Sequence, residues 1–266
     1  MTKDLPIAKK SLGQHWLTDQ QTLNYICDVG EIKLDDVVLE IGPGTGTLTE
    51  ILVNKAKKVI AVEFDSELAD DLPGRVKSPN LEVIQQDILQ FNLSNLDPGY
   101  KVIANIPYYL TSKLIRVLSE STNQASLVVL LIQKEVAERV AAAPGKMSLL
   151  SISAQFYWHV GLGEVVPARL FVPAPKVDSR VITLDRRKDL MFPDVDQKLF
   201  FGLVKAGFAS RRKTLLNSLA GGLRKDKEQI QKILDSANIS SGLRAQALSL
   251  DDWHTIYLAY LEYKVF

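Results

Sequence analysis

Val37-Val38-Leu39-Glu40-Ile41 runs directly into Gly42-Pro43-Gly44-Thr45-Gly46, and Thr47-Leu48-Thr49-Glu50-Ile51-Leu52 follows. The first five residues read as a strand, largely β-branched and bounded by glycine. The last six read as a helix. Strand, glycine loop and helix together open a nucleotide-binding βαβ unit, in which glycines permit positive φ and a close backbone approach to a ligand. The glycine spacing is G-x-G-x-G, not the G-x-G-x-x-G of dinucleotide sites. It suits a cofactor with a small zwitterionic tail.

Further along, Val59-Ile60-Ala61-Val62 reads as a second strand ending at Glu63. An acid about 20 positions after such a loop hydrogen-bonds ribose hydroxyls; the other reading of Glu63 is a solvated helix-start acid like Asp65, Glu67 and Asp70. Leu81–Gln86 reads as a third strand ending at Asp87. Asp87 has two readings: acceptor for the amino group of an adenine ring, with Ile88 packed on the ring face, or N-cap of the next turn.

Tyr100–Ala104 reads as a buried fourth strand, and Asn105-Ile106-Pro107-Tyr108 stands at its carboxyl end, where open α/β sheets carry their chemistry. One reading is an ordinary turn. The other is chemical. An adenine amino group is a poor nucleophile because its lone pair is delocalised into the ring. Two acceptors that hold the amine hydrogens favour a pyramidal nitrogen. The Asn105 side-chain oxygen and the Ile106 carbonyl supply such a pair, Pro107 fixes their spacing, and the Tyr108 ring can stack on the base.

The apolar run Leu127–Ile132 predicts a strand buried on both faces, Gln133–Ala143 a helix stopped by Pro144-Gly145, and Leu149–Phe156 a further helix. Residues 172–179, with Pro173 and Pro175, read as a fixed loop and Arg180–Leu184 as a last strand. From Asp196 the periodicity is helical. The expectation is an α/β Rossmann-like sheet domain over 1–189, with an N-terminal lid segment, and a small all-helical domain over 190–266. Ser11–Leu17 itself reads either as that lid or as the capped start of a helix running on through Leu23 and Ile26. Ser249 with Asp252 predicts a capping box for the final helix.

At 266 residues and net charge +1, any basic surface must be local. Lys205, Arg211, Arg212, Lys213, Arg224 and Lys225 follow one another with no acid between them. With Lys3, Lys9 and Lys10 they could track a phosphate backbone, or form an ordinary solvated face. A single cysteine, Cys27, excludes a disulfide framework, and three scattered histidines lack metal-ligand spacing. No apolar run reaches ~18–20 residues. The first residues do not read as a signal or transit peptide, so the expectation is a cytoplasmic protein without a metal.

Five motifs in this order resemble the KsgA/RsmA family of small-subunit rRNA adenine dimethyltransferases. They are Lys10–Leu17, Leu39–Thr49, Asn105–Tyr108, Phe171–Ser179 and Phe208–Leu215, and the resemblance spans nearly the whole chain. It implies S-adenosylmethionine (SAM) as methyl donor, with His15, Leu17, Gly42, Gly44, Glu63, Asp87, Ile88 and Asn105 at the cofactor. It implies that Asn105, Ile106, Pro107, Tyr108 and Phe171 form the catalytic set, Tyr108 and Phe171 sandwiching a flipped base. Lys10, Lys205, Arg211, Arg212 and Lys213 would meet RNA. The implied reaction is dimethylation at N6 of two adjacent adenines near the 3′ end of small-subunit (16S) rRNA during ribosome biogenesis, by a monomer acting on the rRNA or the assembling subunit. Ile106 in place of the commoner Leu is shared with the related large-subunit rRNA methyltransferases, which stay open as an alternative. A third reading is an assembly or nucleic-acid-binding factor on the same fold. Trp16, where the family usually has Phe, and Met147-Ser148, where many members have Tyr-Gly, are departures.

Overall fold

The computed structural model describes residues 5–265, so Lys3 of the basic arm lies outside the described residues. In chain order the elements are β1 (Trp16–Leu17), α1 (Gln20–Val29), β2 (Val37–Ile41), α2 (Thr49–Lys55), β3 (Lys58–Glu63), α3 (Ser66–Arg75), β4 (Leu81–Gln85) and β5 (Lys101–Asn105). Then come α4 (Thr111–Glu120), β6 (Leu127–Gln133), α5 (Lys134–Val140), α6 (Leu149–Tyr157), β7 (Trp158–Val166), β8 (Phe171–Val172) and β9 (Ser179–Arg186). Four helices follow: α7 (Gln197–Phe208), α8 (Leu215–Leu223), α9 (Lys227–Ser236) and α10 (Leu250–Val265).

Contacts group the chain into two compact units: residues up to Glu138 with Trp158–Arg186, and Arg139–Tyr157 with the residues from Arg187 onward. In the first unit seven strands form one sheet in the order β4-β3-β2-β5-β6-β9-β7. The first five run parallel, and β9 and β7 close the edge antiparallel. This is the Rossmann-like α/β sheet expected, with an antiparallel edge added to its parallel core. All of β2 and the interior of β6 are buried, which is why both read as near-continuous apolar runs. Strand order reverses between β2 and β5, and such a switch point leaves a crevice at the carboxyl ends. Gly42 follows β2 and Asn105 ends β5, so that crevice brings the two key stretches together.

Ser11–Leu17 does not begin a long helix. A short 3-10 turn at Lys10–Leu12 ends at Gly13 with φ +62°, a left-handed conformation that stops the turn. Asp19 then starts α1 afresh, its carboxylate accepting the Thr22 N–H at 2.8 Å. Between them β1 pairs antiparallel with β8, Leu17 opposite Phe171, and both side chains join the core under the sheet.

Strand β7 was not anticipated. Its Gly161 and Gly163 weaken a strand reading, yet both allow close approach: a Cβ on Gly161 would stand within van der Waals overlap of Thr183, and one on Gly163 at 2.8 Å from the Tyr25 hydroxyl.

The second unit is helical, with Phe156, Phe200 and Trp253 fully or almost fully buried. Ser249 and Asp252 exchange hydrogen bonds in the expected capping box. Met147 is buried, and Ser148 accepts the Ser151 N–H at the start of α6. The inclusion of Arg139–Tyr157 in this unit had no counterpart in the division at 189/190.

Candidate active site

The crevice is a pocket within the first unit, and Gly42, Gly44, Glu63, Asn105, Ile106, Pro107, Tyr108, Phe171, His15 and Leu17 all line it. On one side the glycine loop turns with Gly42 at φ +66° and Gly44 at φ +57°. At Gly44 two constraints coincide, since a Cβ would also meet the Trp16 ring at 2.8 Å. Trp16 is fixed in turn by its indole N–H, which donates to the Pro6 carbonyl at 3.0 Å. The larger ring in place of the family's Phe thus roofs the glycine loop.

Glu63 accepts the Gly44 N–H at 3.1 Å and the Asp65 N–H at 2.9 Å. Burial raises its pKa, and these backbone donors oppose the shift. Each carboxylate oxygen keeps acceptor capacity for a further donor.

Glu40, one strand position before Ile41, also lines the pocket and is buried. Its Oε2 has no hydrogen-bond partner among the described residues, and neither does the Thr49 hydroxyl. Burial pushes its pKa up to about 8; the Thr49 hydroxyl, outside hydrogen-bond geometry, opposes this, and the Glu63 charge adds to it. A buried carboxyl without a full set of partners is costly unless a ligand pairs with it. The sequence reading passed over Glu40 as a member of an apolar strand. It also passed over Phe64, whose exposed ring borders the pocket beside Glu63.

Asp87 and Ile88 are not part of this lining. Asp87 caps the following turn, accepting the Leu89 N–H at 2.9 Å, so the capping reading holds for that oxygen. The Gln86 N–H donates to the Glu63 carbonyl at 2.8 Å, which keeps the segment at the same end of the sheet. Ile88 is buried.

The other side of the pocket is built from distant side chains. Asn105 is half-buried, with no hydrogen bond to its amide among the described residues. A 3-10 turn over Tyr108–Leu110 follows. The Tyr108 and Ser179 hydroxyls lie 2.8 Å apart, and burial raises the Tyr108 pKa while the bond to Ser179 opposes it. His15 stacks on Tyr108 at 6.0 Å between centroids, and its Nδ1–H donates to the Pro173 carbonyl at 2.6 Å. A carbonyl can only accept, so this bond sets the His15 tautomer. Phe171 is buried next to Leu17.

The basic residues divide. Lys9 is paired with Asp65 at 2.9 Å and Glu67 at 2.8 Å, so it fastens the N-terminal segment instead of tracking phosphates. Lys10 is exposed, in the first unit. In the second unit Lys205 is exposed on α7, and Arg211, Arg212 and Lys213 are exposed in the turn before α8. None of these four has an ion pair among the described residues.

Fold and site define a Rossmann-like methyltransferase with SAM as donor. The family model for ribosomal RNA adenine dimethylase matches residues 7–261, and the chain belongs to that family. A protein of Dehalococcoides mccartyi named ribosomal RNA small subunit methyltransferase A is 40% identical over 259 residues, covering 96% of this chain and 89% of that one. Its namesake in Alkaliphilus metalliredigens is 42% identical over 258 residues, covering 93% and 90%. Among solved structures, a dimethyladenosine transferase from Plasmodium falciparum superposes with a TM-score of 0.79 at 28% identity, covering 94% of this chain and 98% of that one. The 23S rRNA methyltransferase ErmE reaches 0.75 at 27% identity, covering 92% and 98%.

Proposed function

We propose that the chain transfers methyl groups from SAM to the N6 amino groups of two adjacent adenines near the 3′ end of small-subunit rRNA. The observation that carries this reading is Asn105. Its unengaged amide stands at the mouth of the strand beside the glycine loop, with Tyr108 and Phe171 in the same pocket. Family membership and the small-subunit names of the relatives support the choice of substrate.

When bound, SAM supplies an electrophilic methyl group on a sulfonium. The rest falls to this chain. Glu63 would take the ribose hydroxyls on its remaining acceptor sites, and Phe64, with Ile88 from the segment beside the pocket, would pack on the adenine ring of the cofactor. Asp87 takes that ring's amino group with the oxygen not used in capping. Glu40, buried and with its Oε2 unpartnered among the described residues, would take the ammonium of the zwitterionic tail near Gly42 and Gly44. His15 and Leu17 close the segment over them. The Asn105 oxygen and the Ile106 carbonyl accept the amine hydrogens of the target adenine and stabilise the positive charge that grows there. Tyr108 and Phe171 hold the flipped base by its faces.

In this reading the sheet unit is catalytic, and the helical unit with Lys205, Arg211, Arg212 and Lys213, together with Lys10, meets the RNA backbone. The chain acts as a cytoplasmic monomer on the assembling small subunit. Incubating unmethylated ribosomal subunits with the protein and labelled SAM, then mapping the label, tests the substrate. Label at two adjacent small-subunit adenines is expected, and label confined to large-subunit rRNA would overturn the choice. Arg211→Ala with Arg212→Ala should lower the slope of log K against log salt by about two, since each phosphate contact adds about one.

A further inference from the structure

Tyr108 and Tyr109 are neighbours in sequence and opposite in surroundings. In a 3-10 turn, three residues complete one revolution, so successive side chains point a third of a turn apart. Tyr108 points inward to Ser179 and Leu110 is buried. Tyr109 is 62% exposed, yet it lines the same pocket. One edge of its ring lies by Gly13, where a Cβ would stand 3.6 Å from Cδ1. The remainder faces solvent, and no hydrogen bond engages its hydroxyl among the described residues. Single exposed aromatics are ordinary on protein surfaces. This one borders the opening through which a base must enter.

We infer that Tyr109 is the stacking platform for the adenine next to the flipped one. The inference rests on the proposed function of this pocket. Drawing one adenine out of the stack exposes a face of its neighbour, which costs a few kcal/mol in lost stacking. The neighbour is also an adenine, with a large π-face. A ring on the residue adjacent to Tyr108, one Cα step of about 3.8 Å away, is placed to cover that face. Stacking engages faces and not edges, so the platform tolerates the neighbour whether or not its N6 already carries methyl groups. Such tolerance is what an enzyme needs if each of two adjacent adenines is in turn the target and the flanking base.

The test uses reconstituted small subunits with a synthetic 3′ rRNA segment, carrying either two adjacent adenines or one adenine beside an abasic nucleotide. The readout is the subunit concentration giving half-maximal single-turnover methylation at saturating SAM. On the two-adenine RNA, Tyr109→Leu and Tyr109→Ala should raise that concentration roughly 5–150-fold, the equivalent of ~1–3 kcal/mol per stacked base. Tyr109→Phe, which keeps the ring, should recover the loss. On the abasic RNA, wild type should weaken by a similar factor and Tyr109→Leu should add nothing further. Equal losses for Tyr109→Leu on both RNAs, or no loss on either, would overturn the inference. Unchanged SAM affinity in Tyr109→Leu shows that the variant is folded. Failure of the underlying reading looks different: wild type would place no methyl on adenine, or Asn105→Ala would keep the wild-type rate.

Discussion

At the Gly42–Glu63 side of the pocket, positions are set by backbone. Three positive-φ glycines turn the loop, their neighbours on β2 and β3 pair in register, and the Glu63 carboxylate is pinned by two peptide N–H groups. At the Asn105–Phe171 side, positions are set by side chains from remote parts of the chain. Tyr108 meets Ser179 across 71 residues and His15 meets Pro173 across 158. The first side is the more rigid kind of construction and suits a constant cofactor. The second leaves the Asn105 amide without a hydrogen bond among the described residues and most of the Tyr109 ring open to solvent, which suits a large substrate that arrives from solution.

The largest expected effect probes the backbone-built side. Gly44→Ala imposes a left-handed φ, costing about 1–2 kcal/mol, and drives a Cβ into Trp16, adding about 1–3 kcal/mol. Denaturant unfolding should show both, and in a Trp16→Ala background Gly44→Ala should cost only the left-handed part. A Gly44→Ala protein as stable as wild type would mean that the loop is not held in the way described. Next, Glu63→Ala should weaken SAM by roughly 1.5–3 kcal/mol, the range for hydrogen bonds to a charged group. Calorimetry should detect this, with no measurable binding of NAD to either protein; tight NAD binding without SAM binding would reverse the cofactor assignment.

Glu40 gives a pH-dependent prediction. Its folded pKa of about 8 lies above its ordinary 4.5, because burial disfavours the charged form. The folded state therefore holds this proton more tightly than the unfolded chain does. Its stabilising contribution is complete below about pH 4.5 and is lost as pH rises through 8, by up to ~1.4 kcal/mol per pH unit. The ligand-free protein should lose stability between pH 5 and 8, and Glu40→Gln should flatten that slope. Equal slopes in both proteins would mean that Glu40 is already ionised and paired.

The smallest effect belongs to the side built from side chains. Ser179→Ala and Tyr108→Phe each remove the same hydrogen bond, worth about 0.5–1.5 kcal/mol. The double variant should lose no more than either single one in the half-saturating RNA concentration. Additive losses would show that the two residues act independently.

The contrast between the two sides also explains what could be read in the sequence. The glycine loop, the strand ending at Glu63 and the Asn105–Tyr108 stretch are local signals: the loop was legible because backbone geometry demands glycine there, and Asn105–Tyr108 because its acceptor, proline and aromatic ring stand side by side in sequence. The pairing of β1 with β8, the anchoring of Tyr108 by Ser179 and the capture of Lys9 by Asp65 and Glu67 depend on contacts distant in sequence, where spacing carries no information. Strand β7 was hidden because its glycines, which look like strand breakers, serve close packing against Thr183 and Tyr25. Glu40 was hidden for the opposite reason: its polarity was averaged away within an apolar strand.

The central claim is that Asn105 activates the target amine, and single-turnover methylation with SAM and RNA both saturating measures that step alone. Loss of one preorganised hydrogen-bonding group typically slows a reaction by ~10²–10³. Folded Asn105→Ala should be slower by at least that factor, with RNA affinity little changed because phosphate contacts dominate it. A wild-type rate for folded Asn105→Ala would mean that Asn105-Ile106-Pro107-Tyr108 is only a turn at the end of β5.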